Sequence, residues 1–186
     1  MEKSTISDDL AIRIASKTDA AALSALGAQT FVEAFGADNT PEDTAAHLAA
    51  TFTPERLAQE IADPSSRLLI AEVGSAPAGY AKLHWTDPPD CVSGPKPVEL
   101  ARIYVLARWH GHGVGRALLE RCMEEARAAG AQTMWLGVWE RNQGAQAFYG
   151  KLGFAHVGYK AFMVGSDKQR DWVMERALGR SPIASA

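Results

Sequence analysis

The chain has 186 residues, of which 47% are hydrophobic and 22% are charged, and its formal net charge is −3. This length and composition predict one globular domain of ordinary size over residues 1–178. The small acidic excess argues against a nucleic-acid partner, which normally demands a basic surface. The N-terminus carries no secretory apolar region, no apolar run reaches membrane-spanning length, and Cys91 and Cys122 suggest no disulfide framework, so we expect a cytoplasmic protein without a membrane partner.

The first half of the chain predicts a strand, several short helices and a hairpin. These elements are a strand at 10–15, a helix from 18 toward 27, helices that begin after Thr40 and Thr53, and hairpin strands at 67–73 and 78–85 around a turn at 74–77. The strand at 10–15 is predicted from alternating apolar and polar side chains. Thr40 and Thr53 each stand before a proline and an acidic residue, which is typical of a capped helix start.

The second half of the chain alternates strands with helices. Its predicted elements are a proline-rich loop at 86–97, a strand at 98–105, a helix at 117–129, a strand at 133–138, a helix at 143–152, and final strands at 154–164 and 171–177. This order predicts an α/β sheet with helices on both faces. Residues 179–186 are expected to form a flexible tail.

A glycine-rich stretch between a strand and a helix is the most informative feature of the sequence. It reads Arg108-Trp109-His110-Gly111-His112-Gly113-Val114-Gly115-Arg116. Glycines let the backbone approach a ligand closely, and the free N–H groups of a first helical turn favour an anion such as a phosphate. A P-loop is excluded because no Lys-Ser or Lys-Thr follows the glycines, and the dinucleotide fingerprint is excluded because Arg116 stands where its third glycine is needed.

A second motif lies at residues 136–154. It consists of a strand, a loop with Asn142, a short helix carrying Phe148-Tyr149, and then Leu152-Gly153-Phe154. The Arg-x-x-Gly-x-Gly run and this block together resemble the two acetyl-CoA motifs of the GNAT superfamily of N-acetyltransferases. The resemblance implies an α/β (α+β) fold, with a mixed, mostly antiparallel twisted sheet, helices on both faces and a central parallel strand pair that splays apart to admit acetyl-CoA.

The same resemblance implies an enzyme that moves an acetyl group from acetyl-CoA to a primary amine by direct attack in a ternary complex. No metal is expected. His110 and His112 would need a third ligand to hold one, and the sequence indicates none. The residues that the resemblance assigns to acetyl-CoA are Ile103, Tyr104, Val105, Arg108, His110, Gly111, His112, Gly113, Val114, Gly115, Arg116, Asn142 and Tyr149. Among these, Val105 N–H is the expected oxyanion donor. Arg108 and Arg116 could instead be solvated surface charges, and Asn142 could instead be a helix N-cap.

The resemblance also makes Tyr149 the general acid. A phenol with a pKa near ~10 can protonate a departing thiolate whose own pKa is near ~8.5. The alternative is a half-buried aromatic residue that packs beside Phe148.

Glu99 is the predicted general base, acting directly or through water. A carboxylate in an apolar strand is costly unless it is solvated or paired. In a regular strand it shares a face with residues 101, 103 and 105. The alternative is a structural ion pair with Arg102 or Lys82, and Tyr104 is the rival for the catalytic role.

The acceptor site is expected from the first helices and their loop. Phe31, Glu33, Phe35 and Tyr104 are the predicted acceptor-binding residues, in an aromatic and acidic setting that resembles the bacterial spermidine and polyamine N-acetyltransferase subgroup. Acids such as Glu33, Asp38, Glu42 and Glu99 would suit a polycation. Protein or peptide amines, small amino compounds, and a non-catalytic acyl-CoA-binding regulatory domain remain alternatives. A homodimer is consistent with the family.

Overall fold

The structure, a computed structural model, describes residues 9–179. Its strands are β1 (Leu10–Ile14), β2 (Ser66–Val73), β3 (Ala76–His84), β4 (Pro97–Val105), β5 (Thr133–Trp139), β6 (Ala155–Val164) and β7 (Asp167–Ala177). Its α-helices are α1 (Ala20–Phe35), α2 (Pro41–Thr51), α3 (Pro54–Ala62), α4 (Val114–Ala128) and α5 (Gln143–Lys151). Single 3₁₀ turns at Lys17–Asp19 and Ala107–Trp109 complete the set. Apart from Gly179, the tail predicted to be flexible lies outside the described residues.

The seven strands form one sheet in the order β1-β2-β3-β4-β5-β7-β6. Every neighbouring pair is antiparallel except β4 and β5, which are parallel. One face of the sheet packs against α4, and the other packs against α1 and α3. This arrangement confirms the predicted mixed α/β fold with a central parallel pair. Among residues 9–179, no helix is both long and apolar enough to cross a membrane.

The two helix starts predicted at threonines are confirmed. Thr40 Oγ1 accepts a hydrogen bond from Asp43 N–H at 3.1 Å, and Thr53 Oγ1 accepts one from Arg56 N–H at 3.2 Å. A proline occupies the first helical position after each threonine, where its missing N–H costs nothing.

Helix α1 continues to Phe35 rather than ending near Gly27. Gly27 is a packing residue: a Cβ added there would lie 2.5 Å from Cδ1 of Phe52, so the glycine lets α1 approach that ring. The prediction treated this glycine as a helix stop, because sequence alone does not distinguish a stop from a close contact.

Other element boundaries also differ from the prediction. The hairpin turn is only Gly74 and Ser75, both with positive φ (56° and 66°), so β3 begins at Ala76. A two-residue turn with positive φ at both positions matches the twist of the strands it joins. Helix α4 begins at Val114 rather than at residue 117, and β7 begins at Asp167 rather than at residue 171.

Strand β4 contains a β-bulge. The register against β3 shifts around Ala101, which is an extra residue in β4. The bulge reverses the alternation beyond it, so Glu99 shares the α1–α3 face of the sheet with Arg102 and Tyr104. The prediction that Glu99 faces the same way as the odd-numbered residues beyond the bulge is therefore wrong.

Strands β4 and β5 separate soon after they meet. They pair only from Pro97 to Glu99 against Thr133 to Trp135. Beyond Glu99 the two strands have no ladder between them, which confirms the splay that the resemblance implies. This gap positions the site.

Candidate active site

A cavity of about 410 Å³ lies in the gap between β4 and β5. Helix α1 forms one wall, and residues of β6 and β7 close the opposite side. The predicted site residues on its wall are Phe31, Glu33, Phe35, Ile103, Tyr104, Val105, His110, Asn142 and Tyr149. Glu99, Arg108, His112 and the stretch 111–116 lie off this wall. The structure thus brings the predicted acceptor residues and the predicted acid together.

The backbone of Val105 faces the gap. In an antiparallel ladder, alternate residues bond to the neighbouring strand and those between them point away. Leu106 N–H donates to the Ala78 carbonyl at 2.9 Å across the β3–β4 ladder, so Val105 directs its groups the other way. Since β5 has separated there, Val105 N–H can serve an incoming ligand. Its carbonyl accepts a hydrogen bond from His110 Nε2 at 2.8 Å, which holds that ring on the cavity wall.

The glycine loop has the backbone that a diphosphate needs. Gly111 and Gly113 have φ of 77° and 86°, and a Cβ added at either would meet nothing within 4 Å. The first bond of α4 runs from Ala117 N–H to the Gly113 carbonyl at 3.0 Å, so the N–H groups of residues 114–116 have no helical partner. The open loop and these free donors fit a pyrophosphate.

The two arginines of the loop are exposed. Arg116 Nε is 2.9 Å from Glu120 Oε1 in a solvent-facing pair, which is weak and easily exchanged for a phosphate contact. This geometry is compatible with both hypotheses for the arginines, a solvated surface charge and a contact to the phosphates.

Helix α5 carries the predicted acid into the cavity. Asn142 caps the helix, with Oδ1 accepting from Ala145 N–H at 3.0 Å, and it also lies on the cavity wall. Tyr149 is buried and packs edge-on against Phe148 and Phe154, with ring centroids 5.3 Å and 5.8 Å away. Burial, more than any nearby charge, raises the pKa of its phenol. A raised pKa keeps the phenol protonated, which is the form a general acid requires.

Glu99 is held in an ion pair that the sequence did not predict. Its Oε1 lies 3.1 Å from Lys160 Nζ on β6, and its Oε2 lies 3.7 Å from His84 Nδ1. The alternative pairing with Arg102 or Lys82 is not formed, because both cations bind Glu60 of α3, at 2.7 Å and 3.1 Å. Lys160 lies on the cavity wall, whereas its partner Glu99 does not.

Asp171 is a cavity residue that the sequence analysis missed. It is 6% exposed, lies on the cavity wall and faces β5 across Gly137. Burial raises its pKa to about 6, against a smaller opposing effect of Lys160. The available signal was a carboxylate directly before the apolar run Trp172 to Met174, the same signal that identified Glu99.

Two of the predicted acceptor residues, Phe31 and Phe35, belong to an aromatic wall of the cavity. Phe31 and Phe35 lie 5.1 Å apart by ring centroids, and Phe35 meets Trp139 edge-on at 6.1 Å. Glu33 lies at the rim, where its carboxylate accepts from Ala107 N–H at 2.9 Å and from Gln29 Nε2 at 2.8 Å. The bond from Ala107 lowers the pKa of Glu33, so this acid stays charged and ties α1 to the loop after β4.

The residues from 9 to 179 contain no group of three or more His, Cys, Asp or Glu side chains that could hold a metal ion. His110 and His112 are both engaged with backbone carbonyls: His112 Nδ1 donates to the His110 carbonyl at 2.9 Å.

The buried carboxylate of Asp171 gives a stability prediction. Its folded-state pKa, about 6, lies above the ordinary 3.8, so ionisation opposes folding. The cost is absent below about pH 4 and complete above about pH 6, and a shift of two units corresponds to at most about 3 kcal/mol. We therefore expect the unfolding free energy of Asp171→Asn, relative to that of the parent, to increase by about 1–3 kcal/mol as the pH rises from about 4 to about 7.5. Denaturant titrations of both proteins measure this difference, and a difference independent of pH would show that Asp171 ionises normally.

Comparison with known proteins identifies the family. Residues 30–154 match the model of the acetyltransferase (GNAT) family. An uncharacterised N-acetyltransferase of Lactobacillus delbrueckii subsp. lactis is 36% identical over 154 residues, which is 83% of this chain and 89% of the relative. An uncharacterised N-acetyltransferase of Mycobacterium tuberculosis is 37% identical over 161 residues, 87% of this chain and 99% of the relative.

Solved structures agree with the fold. The PaiA N-acetyltransferase of Thermoplasma acidophilum, in complex with coenzyme A, superposes with a TM-score of 0.74 at 20% identity, covering 90% of this chain and 98% of that one. A Salmonella typhimurium structure with its cofactor acetyl-CoA gives a TM-score of 0.63 at 26% identity, covering 96% and 99%. The chain therefore belongs to the GNAT family of acetyltransferases, and the predicted acyltransferase class is confirmed.

Proposed function

We propose that the protein transfers the acetyl group of acetyl-CoA to a primary amine by direct attack in a ternary complex. Acetyl-CoA as the co-substrate agrees with the family and with the coenzyme A and acetyl-CoA held by the two solved neighbours. One observation carries the proposal for this chain: the divergence of β4 and β5 leaves Val105 N–H facing a cavity that Tyr149 also lines. An acyl group placed there meets a donor for its oxygen and an acid for its leaving group.

The protein groups divide the work of acetyl transfer. The glycine loop holds the pyrophosphate with backbone N–H groups of the first turn of α4. Val105 N–H stabilises the negative charge that develops on the carbonyl oxygen under attack. Tyr149 O–H protonates the thiolate when the carbon–sulfur bond breaks. Asn142 and the backbone of residues 103–105 align the donor in the gap.

A polyamine is the acceptor that we propose within this class. The cavity presents an aromatic wall and two carboxylates, Glu33 at the rim and Asp171 in the interior, so one ammonium can bind at each. Asp38 and Glu42, which the sequence added to this list, lie off the cavity wall. Peptide amines and small amino compounds are the competing acceptors. A cytoplasmic location and a homodimer stay predictions.

A thiol-release assay tests the proposal. Acetyl-CoA is supplied with a panel of spermidine, monoamines, amino acids and peptides with free N-termini. We expect release of coenzyme A that depends on the amine, with spermidine the fastest. Release with no amine of the panel would contradict the enzyme proposal and favour an acyl-CoA-binding domain, whereas faster release with peptides would overturn the polyamine assignment alone.

Glu99 remains the sequence-based hypothesis for the base. Because Lys160 lines the cavity and Glu99 does not, Glu99 in that role takes the proton through Lys160 or through water. On this hypothesis, Glu99→Gln slows turnover most at low pH, where the amine is protonated, and turnover recovers partly at high pH. The kcat/KM profile of the variant against pH measures this, and a profile identical to that of the parent would place the base elsewhere.

A further inference from the structure

We propose that Asp171 binds the acceptor ammonium and takes its proton before attack, a role that rests on the proposed function. The Asp171 carboxylate lies on the cavity wall and is buried. Asp171 belongs to β7, where it is paired with Lys160 of β6 on one side and with Trp139 of β5 on the other.

Gly137 makes room for this carboxylate. A Cβ at position 137 would lie 3.0 Å from Asp171 Oδ2 and would also collide with the Lys160 side chain. The absence of a side chain on β5 therefore lets two charged groups, Asp171 from the adjacent β7 and Lys160 from β6 beyond it, reach the cavity.

The carboxylate of Asp171 has no cation bound to it within the described part of the chain. No Lys, Arg or His nitrogen of residues 9–179 lies within 4.0 Å of it, because the nearby Lys160 is held by Glu99 at 3.1 Å. A buried carboxylate without a partner is costly, and a substrate ammonium would supply the missing charge. Glu99 thus acts as a positioning residue that keeps Lys160 from neutralising Asp171.

The charged and titratable groups around Asp171 shift its pKa in opposite directions. Lys160 on β6 lowers its pKa, whereas burial and Glu140, which follows β5, raise it to about 6. Arg170, its neighbour on β7, is taken up by Glu140 at 2.6 Å. The remaining groups on the same cavity wall are Tyr104 and Arg102 on β4, Glu33 on α1, His110 in the loop and Tyr149 on α5.

The proton balance of the step is complete. The ammonium N–H proton passes to the Asp171 carboxylate, and the free amine attacks the thioester carbon. The new carbon–nitrogen bond forms, the carbon–sulfur bond breaks, and the thiolate takes the proton of Tyr149. The nitrogen then loses its second proton, which restores Tyr149 directly or through solvent, and Asp171 releases its proton to solvent through the cavity mouth.

Asp171→Asn tests the role with two amines. The first is an alkylamine that the parent acetylates, and the second is a fluorinated analogue of the same shape that is already neutral at pH 7. For the alkylamine we expect kcat/KM at pH 7 to fall by about 10²–10⁴ and then to rise tenfold per pH unit, because only free amine reacts. The fluorinated amine should lose about tenfold or less. Asp90→Asn, the same change on an exposed loop, should match the parent.

Two further variants keep the proposal open to refutation if Asp171→Asn does not fold. Protonation of Asp171 makes kcat/KM decrease at low pH, and this decrease is the acid limb of the profile. Lys160→Met removes a charge that stabilises the ionised Asp171 carboxylate, so the acid limb should move to higher pH. Glu99→Gln frees Lys160 to face Asp171, so the limb should move to lower pH. Equal losses for both amines in Asp171→Asn, or an acid limb in Glu99→Gln that stays in place or moves to higher pH, would overturn the assignment. A parent that acetylates no amine would instead overturn the proposed function, and this role with it.

Discussion

Gly113→Asp is expected to abolish acetyl-CoA binding while the fold survives. The added carboxylate stands beside the free N–H groups of α4, where the pyrophosphate must lie. Two like unit charges about 4 Å apart repel by about 4 kcal/mol at an effective dielectric constant of 20, so the dissociation constant should rise on the order of 10³-fold. Aspartate tolerates the left-handed backbone of Gly113 better than most residues, and a carboxylate beside a helix N-terminus is favourable, which protects the fold. Calorimetric titration with acetyl-CoA measures the change.

Gly130→Asp is the matched control for this change. Gly130 follows the opposite end of α4, has φ of 85° against 86° for Gly113, and a Cβ there also meets nothing within 4 Å. The backbone strain of the two variants is therefore alike, and only the place of the charge differs. Gly130→Asp should bind acetyl-CoA as the parent does. Unchanged affinity in a folded Gly113→Asp protein would refute the pyrophosphate assignment.

Tyr149→Phe is expected to reduce kcat by about 10²–10⁴, which is the usual contribution of a general acid. The ring packing against Phe148 and Phe154 is retained, because only the hydroxyl is removed. Acetyl-CoA affinity should change little, since the phenol is not required for the pyrophosphate. Single-turnover rates with a good acceptor measure the chemical step.

Tyr159→Phe provides the control for loss of a phenol. Tyr159 is 51% exposed on the edge strand β6 and lies off the cavity wall. Its substitution should leave kcat unchanged. Full turnover of Tyr149→Phe would show that water or another group protonates the leaving thiolate.

The features that could be predicted from the sequence are local ones. The helix starts at Thr40 and Thr53 follow from side chains that bond three residues away. The glycine loop and the Asn142 cap were likewise recognised from short segments whose chemistry does not depend on distant contacts. Their order along the chain was enough for the family and for the mixed sheet.

The features that were missed depend on contacts between distant segments. The bulge at Ala101 is a register shift between two strands, and neither strand alone encodes it. Lys160 is the partner of Glu99 because its side chain reaches from β6, 61 residues further along the chain, over Gly137 of β5. The sequence predicts Asp171 correctly as a strand residue, but its place on the cavity wall depends on the side chain that Gly137 lacks on the adjacent strand.

Direct transfer of the acetyl group to the amine is the central claim, and mass spectrometry of protein and product tests it most directly. The protein is incubated with isotopically labelled acetyl-CoA, first alone and then with the best amine of the panel. Direct attack predicts an unmodified protein mass in both samples and labelled N-acetylamine only in the second. Labelled acetyl on the protein that passes to the amine would contradict direct attack, and the absence of labelled N-acetylamine with every amine would contradict the acetyltransferase account.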